Sequence, residues 1–264
     1  MLRKRLGTPI IYLKSTMSTQ DIVKEAALKG APEGYTVVAE NQERARGRMG
    51  RTFYTSKGGL YFSLLLRPTV RISEITVLPL AVGAAVAKSI EDEGLRCALK
   101  WPNDCLVNSK KVCGVLVESA IKDEALLYVI IGVGLNANIP IQGIPEWLRS
   151  EATTLQHELC RQVDLASMLN RILAYLEWLY DDLQINGPSL TLKEWLKRDI
   201  LIGRTATIEY RGKEVTVAVR GLSENGLLIV ESEGRCINLN SAEATIKYWL
   251  HGCQIYSQNH KQYC

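Results

Sequence analysis

Residues 111–119, KVCGVLVES, and residues 126–135, LLYVIIGVGL, are two runs dominated by β-branched and aliphatic side chains. Such runs read as strands, and the second ends in a glycine pair, Gly132 and Gly134, just before Asn136. Glycines spaced this way permit tight strand packing, or let a ligand lie against bare backbone. Upstream, IIYL (10–13), YTVVAE (35–40), LYFSLLL (60–66) and CALKW (97–101) have the same character.

Helical patterns interrupt these runs. One covers residues 19–29 behind Ser18 or Thr19 as cap, and a second runs from a Ser73 cap to a Gly94 stop. A third begins near Asp164, where Leu165, Met168, Leu169, Ile172, Leu173, Leu176 and Leu179 form one apolar face. Strands interrupted by helical patterns look like an α/β domain over residues 1–198. From about residue 200 the pattern becomes short alternating strands, with hairpin signals at Arg211-Gly212 and Asn225-Gly226, which predicts a small β-barrel over 199–249. Residues 250–264 are polar, without periodicity, and read as a frayed tail.

With 264 residues, 47% of them hydrophobic, the chain can bury a substantial core, and a formal charge of +4 excludes a surface basic throughout. Any basic site must be local. Seven cysteines without C-x-x-C pairs or zinc spacing fit reduced thiols. The N-terminus lacks the pattern of a signal peptide, and TVLPLAVGAAVA and LLYVIIGVGL are too short to span a bilayer, so a cytoplasmic protein without membrane contact is expected.

The local basic site is ENQERARGRMGR, residues 40–51, with Arg44, Arg46, Arg48 and Arg51 around Gly47 and Gly50. Arginine forks suit phosphate or carboxylate, and glycines admit close backbone approach. Anion binding, nucleic-acid contact and an ordinary solvated loop all remain open from this segment alone. The turn KWPND (100–104) is either a turn with a packed tryptophan or a nucleotide site in which Lys100 and Asp104 serve phosphates and magnesium. Lys111 is either a surface lysine at a hairpin end or part of the same site.

In order, ARGRMGR, KWPND, KVCGVLVE and IGVGLN resemble the motif series of the biotin protein ligases, over roughly residues 8 to 140, and the C-terminal module matches that architecture. The resemblance is to the short class without an N-terminal helix-turn-helix domain. It implies an α+β catalytic domain, a mixed β-sheet with packed helices like that of class II aminoacyl-tRNA synthetases and biotin ligases, plus a small SH3-like C-terminal β-barrel.

It implies further that Ser18, Thr19, Gln20 and Gln42 hold the ureido ring of biotin. Gly114 and the Gly132 backbone would line the biotin pocket, and Lys111 would contact the carboxylate and phosphoryl oxygens. Arg46 and Arg48 would close over the adenylate, and Arg51 would join the ATP site. Phe53 would pack on adenine, Lys100 would lie near the reacting centre, Asn103 and Asn136 would lie beside ATP, and Asp104 would face Mg2+. Arg46, Arg48, Lys111 and Lys100 are the catalytic candidates. Two departures stand out: Ala45 replaces the loop's first glycine, and Gln20 replaces an asparagine.

The implied reaction activates biotin as biotinyl-5′-AMP and transfers it to a lysine of a biotin carboxyl carrier protein. ATP with Mg2+ would be co-substrate, with no tightly bound prosthetic group, no DNA, and a homodimer as the family's state. Like-charged arginines in a glycine-containing loop are expected to be poorly ordered until an adenylate compensates them. The rival readings are lipoate or octanoate ligation on the same scaffold, a biotin-responsive repressor, and a nucleic-acid-binding module.

Overall fold

The computed structural model describes residues 5–251 and 254–257. Its first sheet has seven strands: β1 (Ile10–Leu13), β2 (Thr36–Ala39), β3 (Leu60–Leu66), β4 (Ala98–Lys100), β5 (Asp104–Val107), β6 (Lys110–Lys122) and β7 (Ala125–Leu135). They run in the order β1-β2-β3-β7-β6-β5-β4. Only β1 and β2 are parallel; every other neighbouring pair is antiparallel, so the sheet is mixed. The two apolar runs at 111–119 and 126–135 become the long hairpin β6–β7. Its two-residue turn, Asp123-Glu124, has φ of 49° and 61°, the tight geometry that matches strand twist but carries no glycine to announce it.

Helices pack on both sides of the sheet. On one, α1 (Thr19–Leu28) buries Val23 and Ala27 against Val37, Leu65, Tyr128 and Ile130. On the other, α2 (Leu78–Glu91) is buried along almost its whole length under α4 (Leu165–Asn186) and α5 (Ser189–Leu196). A short helix, α3 (Leu155–Leu159), precedes α4. The apolar stripe expected on α4 is buried from Met168 to Leu179, and the Asp164 carboxylate caps the helix by accepting from the Ala166 N–H at 3.1 Å.

The α2 region starts differently from the sequence expectation. Ser73 is not the cap: residues Ile72–Val77 form a 3-10 segment capped by Arg71 and Glu74, and the α-helix begins at Leu78. Pro79 has no N–H to donate and its ring would strike the carbonyl one turn back, so it suits the first turn of α2 and disfavours regular α-helix for a full turn upstream. The combined run Ile72–Glu91 reaches membrane-spanning length by composition, but it is mostly buried in the fold.

The C-terminal module comprises β8 (Thr205–Tyr210), β9 (Lys213–Leu222), β10 (Leu228–Ser232), β11 (Arg235–Leu239), β12 (Ala244–His251) and β13 (Gln254–Ser257). They form one antiparallel sheet in the order β11-β10-β9-β8-β12-β13. Arg211-Gly212, with φ of 51° and 76°, makes the expected tight turn. Of the expected frayed tail, Gln254–Ser257 pair with β12, and 252–253 and 258–264 lie outside the described residues. The core runs without a break from the first sheet through Ala206, Val217 and Trp249. Hydrogen bonds tie the modules together, among them the Trp101 indole N–H to Gly226 O at 3.0 Å and the Thr76 hydroxyl to Asn225 O at 2.6 Å.

Candidate active site

Register alone assembles the floor of a cleft. Side chains of directly paired residues share a sheet face. Across β3, β7, β6, β5 and β4 the pairs Tyr61↔Gly134, Gly134↔Gly114, Gly114↔Asp104 and Asp104↔Lys100 form one row. One step along the strands, Ser63↔Gly132 and Gly132↔Leu116 form a second. Both rows have bare backbone at their centre, so the sheet is concave where Gly114, Gly132 and Gly134 meet.

Lys111 and Gly114 are three residues apart and would face opposite ways on a regular strand. A bulge at Val112, where the pairing steps from Cys105↔Cys113 to Leu106↔Lys111, inserts one unpaired residue and resets the alternation. Both positions then face the cleft, and a Cβ on Gly114 would lie 3.2 Å from Lys111 Cε.

The cleft encloses about 810 Å³, including space open to solvent. Its lining includes every sequence-derived site residue except Asn136: Ser18, Thr19, Gln20, Gln42, Arg46, Arg48, Arg51, Phe53, Lys100, Asn103, Asp104, Lys111, Gly114 and Gly132. Asn136 instead donates its amide to Thr153 O at 3.2 Å and joins β6 through its N–H to Val112 O at 2.8 Å. It holds the backbone behind the cleft.

One end of the cleft is neutral and hydrogen-bonding. The N-cap Ser18 makes no side-chain bond to α1, and its side chain lines the cleft. Gln42 Oε1 accepts from the Thr19 N–H at 2.8 Å and from the Thr19 hydroxyl at 3.0 Å. Gln20 is buried over Gly132, and its Nε2 has no hydrogen-bond partner.

The other end is cationic. Lys111 Nζ lies 2.7 Å from Asp104 Oδ1. Buried Lys100 donates to Ile246 O at 3.4 Å and sits 4.6 Å from the centroid of the Trp249 ring. Burial pushes the Asp104 carboxyl up, but the charges of Lys111 and Lys100, the Lys111 hydrogen bond and Arg48 outweigh it, leaving it below the usual carboxylate range. Arg48 bonds Asn103 Oδ1 at 3.3 Å and the Ser241 carbonyl, and its burial lowers its pKa. Asn103 donates to Val115 O at 2.6 Å, which clamps the turn between β4 and β5 onto β6. Phe53 lies over Gly134 and Gly114, and a Cβ at Gly134 would come within 2.6 Å of its ring.

The arginine loop departs from its expectation. Arg46 is held by Asp21 through two bonds of 3.1 and 2.7 Å, with Glu118 at 3.8 Å, and these partners raise its pKa against the effect of burial. The protein thus compensates the Arg46 charge itself, while Arg51 still acts with burial to lower the pKa of Arg48. The loop is closed by Gly47 N–H to Arg51 O at 2.7 Å and Phe53 N–H to Ala45 O at 2.9 Å. Ala45 is buried and does not adopt a positive φ, so its replacement of glycine carries no backbone strain; Met49, at φ 56°, is the loop's left-handed non-glycine residue.

Sequence reasoning missed Ser63, Thr245 and Ile246 in the lining. Thr245 and Ile246 come from β12, and the Thr245 hydroxyl donates to Met49 Sδ at 3.2 Å. The C-terminal module therefore touches the loop directly. Among the described residues no group of three or more His, Cys, Asp or Glu could hold a metal on its own.

The chain belongs to the biotin/lipoate A/B protein ligase family, whose model matches residues 12–136. It is 33% identical over 245 residues to the bifunctional ligase/repressor BirA of Bacillus subtilis, covering 90% of this chain and 74% of the relative. It is 30% identical to the biotin--[acetyl-CoA-carboxylase] ligase of Paracoccus denitrificans, covering 81% and 92%. The biotin protein ligase of Aquifex aeolicus in complex with biotin and ATP superposes with a TM-score of 0.77 at 28% identity, over 90% of this chain and 98% of that one.

Proposed function

We propose that this chain uses ATP to activate biotin and joins it to a lysine of a carboxylase carrier protein. One observation carries the choice of acid. The cleft joins an amide and hydroxyl end (Thr19, Gln20, Gln42) to a cationic end (Arg48, Lys100, Lys111). A cyclic urea at one end of a molecule and a carboxylate at the other match both. The tail of lipoate or octanoate would leave the Gln20 and Gln42 amides facing apolar groups, a cost of about 1–3 kcal/mol for each unsatisfied buried group.

In the first step a biotin carboxylate oxygen attacks the α-phosphorus of ATP. The P–O bond to pyrophosphate breaks, and the mixed anhydride biotinyl-5′-AMP forms. Two anions must meet, and Arg46, Arg48, Lys100 and Lys111 offset their repulsion. Phe53 and Arg51 lie where an adenosine would rest, and Asn103 holds Arg48 toward the phosphates. In the second step the neutral ε-amine of the acceptor lysine attacks the activated carbonyl. The C–O bond to AMP breaks, an amide remains, and the amine proton leaves to solvent. No protein nucleophile takes part.

Asp104 is an ionised carboxylate in the cleft and fits a magnesium ion delivered mainly by ATP phosphates, since magnesium is usually held by one or two carboxylates and retains waters. When bound it would neutralise phosphate charge. We read residues 1–198 as the catalytic domain and 199–249 as an SH3-like module, a reading supported by Thr245 and Ile246, which line the cleft from β12. We take the chain to act in the cytoplasm as a ligase, and as a homodimer by family likeness.

The test is transfer. Incubated with ATP, magnesium, biotin and the biotin carboxyl carrier domain of acetyl-CoA carboxylase, the protein should add one biotinyl group to one acceptor lysine, read by intact mass. An unmodified carrier in the presence of active protein would refute the proposal.

A further inference from the structure

Ser63 sits in the middle of the apolar run LYFSLLL, is fully buried, and lines the cleft. Its Oγ lies 2.7 Å from Thr19 Oγ1, with either atom able to donate. The surroundings decide the direction. Gln42 Oε1 must be the oxygen of that amide, because the Thr19 backbone N–H points at it from 2.8 Å. An amide oxygen only accepts, so satisfying its 3.0 Å contact with the Thr19 hydroxyl uses the hydroxyl's single proton. The Ser63 proton therefore goes to Thr19, and the relay runs Ser63 to Thr19 to Gln42.

This polarity has two consequences. Gln42 has its oxygen committed to Thr19, so its NH2 group is the part left for a ligand. Ser63 has spent its proton, so its Oγ meets the cleft as an acceptor. The row partner of Ser63 is Gly132, which has no side chain to block the approach. Donors at Gln42 and Gln20 beside an acceptor at Ser63 are the complement of a carbonyl flanked by N–H.

We propose that Ser63 is a specificity-determining residue that accepts a ureido N–H of biotin and fixes the donor direction of the Thr19–Gln42 pair. The inference rests on the biotin reading above. It explains how a hydroxyl on an otherwise apolar strand separates a urea-bearing acid from a plain fatty acid, since a buried acceptor facing a methylene goes unpaired.

The experiment compares wild type with Ser63→Ala, which deletes one oxygen and adds no volume. Calorimetry with biotin, with desthiobiotin (same cyclic urea, no thioether) and with octanoate (no urea) gives three affinities for each protein. Ser63→Ala should weaken biotin and desthiobiotin by the same factor, about tenfold to hundredfold. Octanoate should bind no more weakly and can only tighten, because the acceptor that would face its methylenes unpaired is gone, and kcat at saturating biotin should stay within about threefold, because the lost contact is made equally before and during reaction. A uniform loss across all three acids would mark a structural role and overturn the inference, as would unchanged biotin affinity in the variant. Wild-type protein that does not bind biotin would instead overturn the biotin reading itself.

Discussion

Gly132→Ala is the sharpest single perturbation of the cleft. A Cβ at Gly132 would lie 2.9 Å from Gln20 Cδ and 3.1 Å from its Oε1. Both atoms are at the far end of a flexible side chain, so the fold can yield where the ligand site cannot. Moving Gln20 off its rotamer costs about 0.5–1.5 kcal/mol, and alanine recovers about 0.5–1 kcal/mol of glycine's entropy loss in a strand, so stability should stay within about 1 kcal/mol of wild type. The methyl and the displaced amide both enter the hydrogen-bonding end of the cleft. Overpacking a fitted site costs about 1–3 kcal/mol, or roughly 5-fold to 150-fold in biotin Kd. Gly134→Ala is the internal control: its Cβ would lie 2.6 Å from the Phe53 ring, so it should weaken ATP binding while leaving biotin affinity within about threefold. Calorimetry with each ligand, alongside urea unfolding, separates the two. Wild-type biotin affinity in Gly132→Ala, or the same loss of both ligands in both variants, would refute the division of the cleft into two ends.

Lys111→Met removes the partner 2.7 Å from Asp104 and a charge from the reacting end; single-turnover adenylate formation should fall about 100-fold or more, and a loss under tenfold would remove Lys111 from the catalytic set. The Asp104 carboxyl is depressed when folded, so its contribution to stability is complete above the unfolded carboxylate value of about 3.9 and is lost as pH falls toward the folded value. Asp104→Asn should therefore flatten the decline in stability below about pH 4, measured by urea titration across pH 3–6, and an unchanged slope would contradict the assignment. Asp21→Asn frees the Arg46 fork at an exposed pair, with a stability change below about 1 kcal/mol. Trypsin should then cut the loop at residues 44–51 faster, and biotin with ATP should restore protection; equal cleavage of both proteins would show that Asp21 does not hold the loop.

How much of this was legible in the sequence varies with the kind of signal. Six of the seven strands of the first sheet were readable because β-branched runs bounded by turns leave few alternatives, while β5 was missed because its four residues follow directly on the KWPND turn; the α4 stripe was readable because seven positions repeat at helical spacing. The arginine loop, the KWPND turn and the glycine pair were readable because residues that special are rarely placed for packing alone. Ser63 was not, since one serine in LYFSLLL gives no periodic signal and its role appears only when β3 lies beside β7 and α1. Thr245 and Ile246 are remote in sequence from the loop that they touch, and nothing local marks them. The Val112 bulge was invisible for the same reason: which face Lys111 takes depends on a register set by β5. The partners of Arg46 and Arg48 were not legible in the loop itself, because Asp21, Glu118 and the Ser241 carbonyl lie on other elements. Asn136, placed beside ATP by motif, is occupied with backbone behind the cleft.

The central claim is that this cleft adenylates biotin. Isotope exchange of pyrophosphate into ATP, with purified protein and biotin, lipoate and octanoate supplied separately, tests it without needing an acceptor. The account predicts exchange that depends on biotin and is abolished in Lys111→Met. Exchange driven by lipoate or octanoate in place of biotin, or none with any of the three acids, would contradict it.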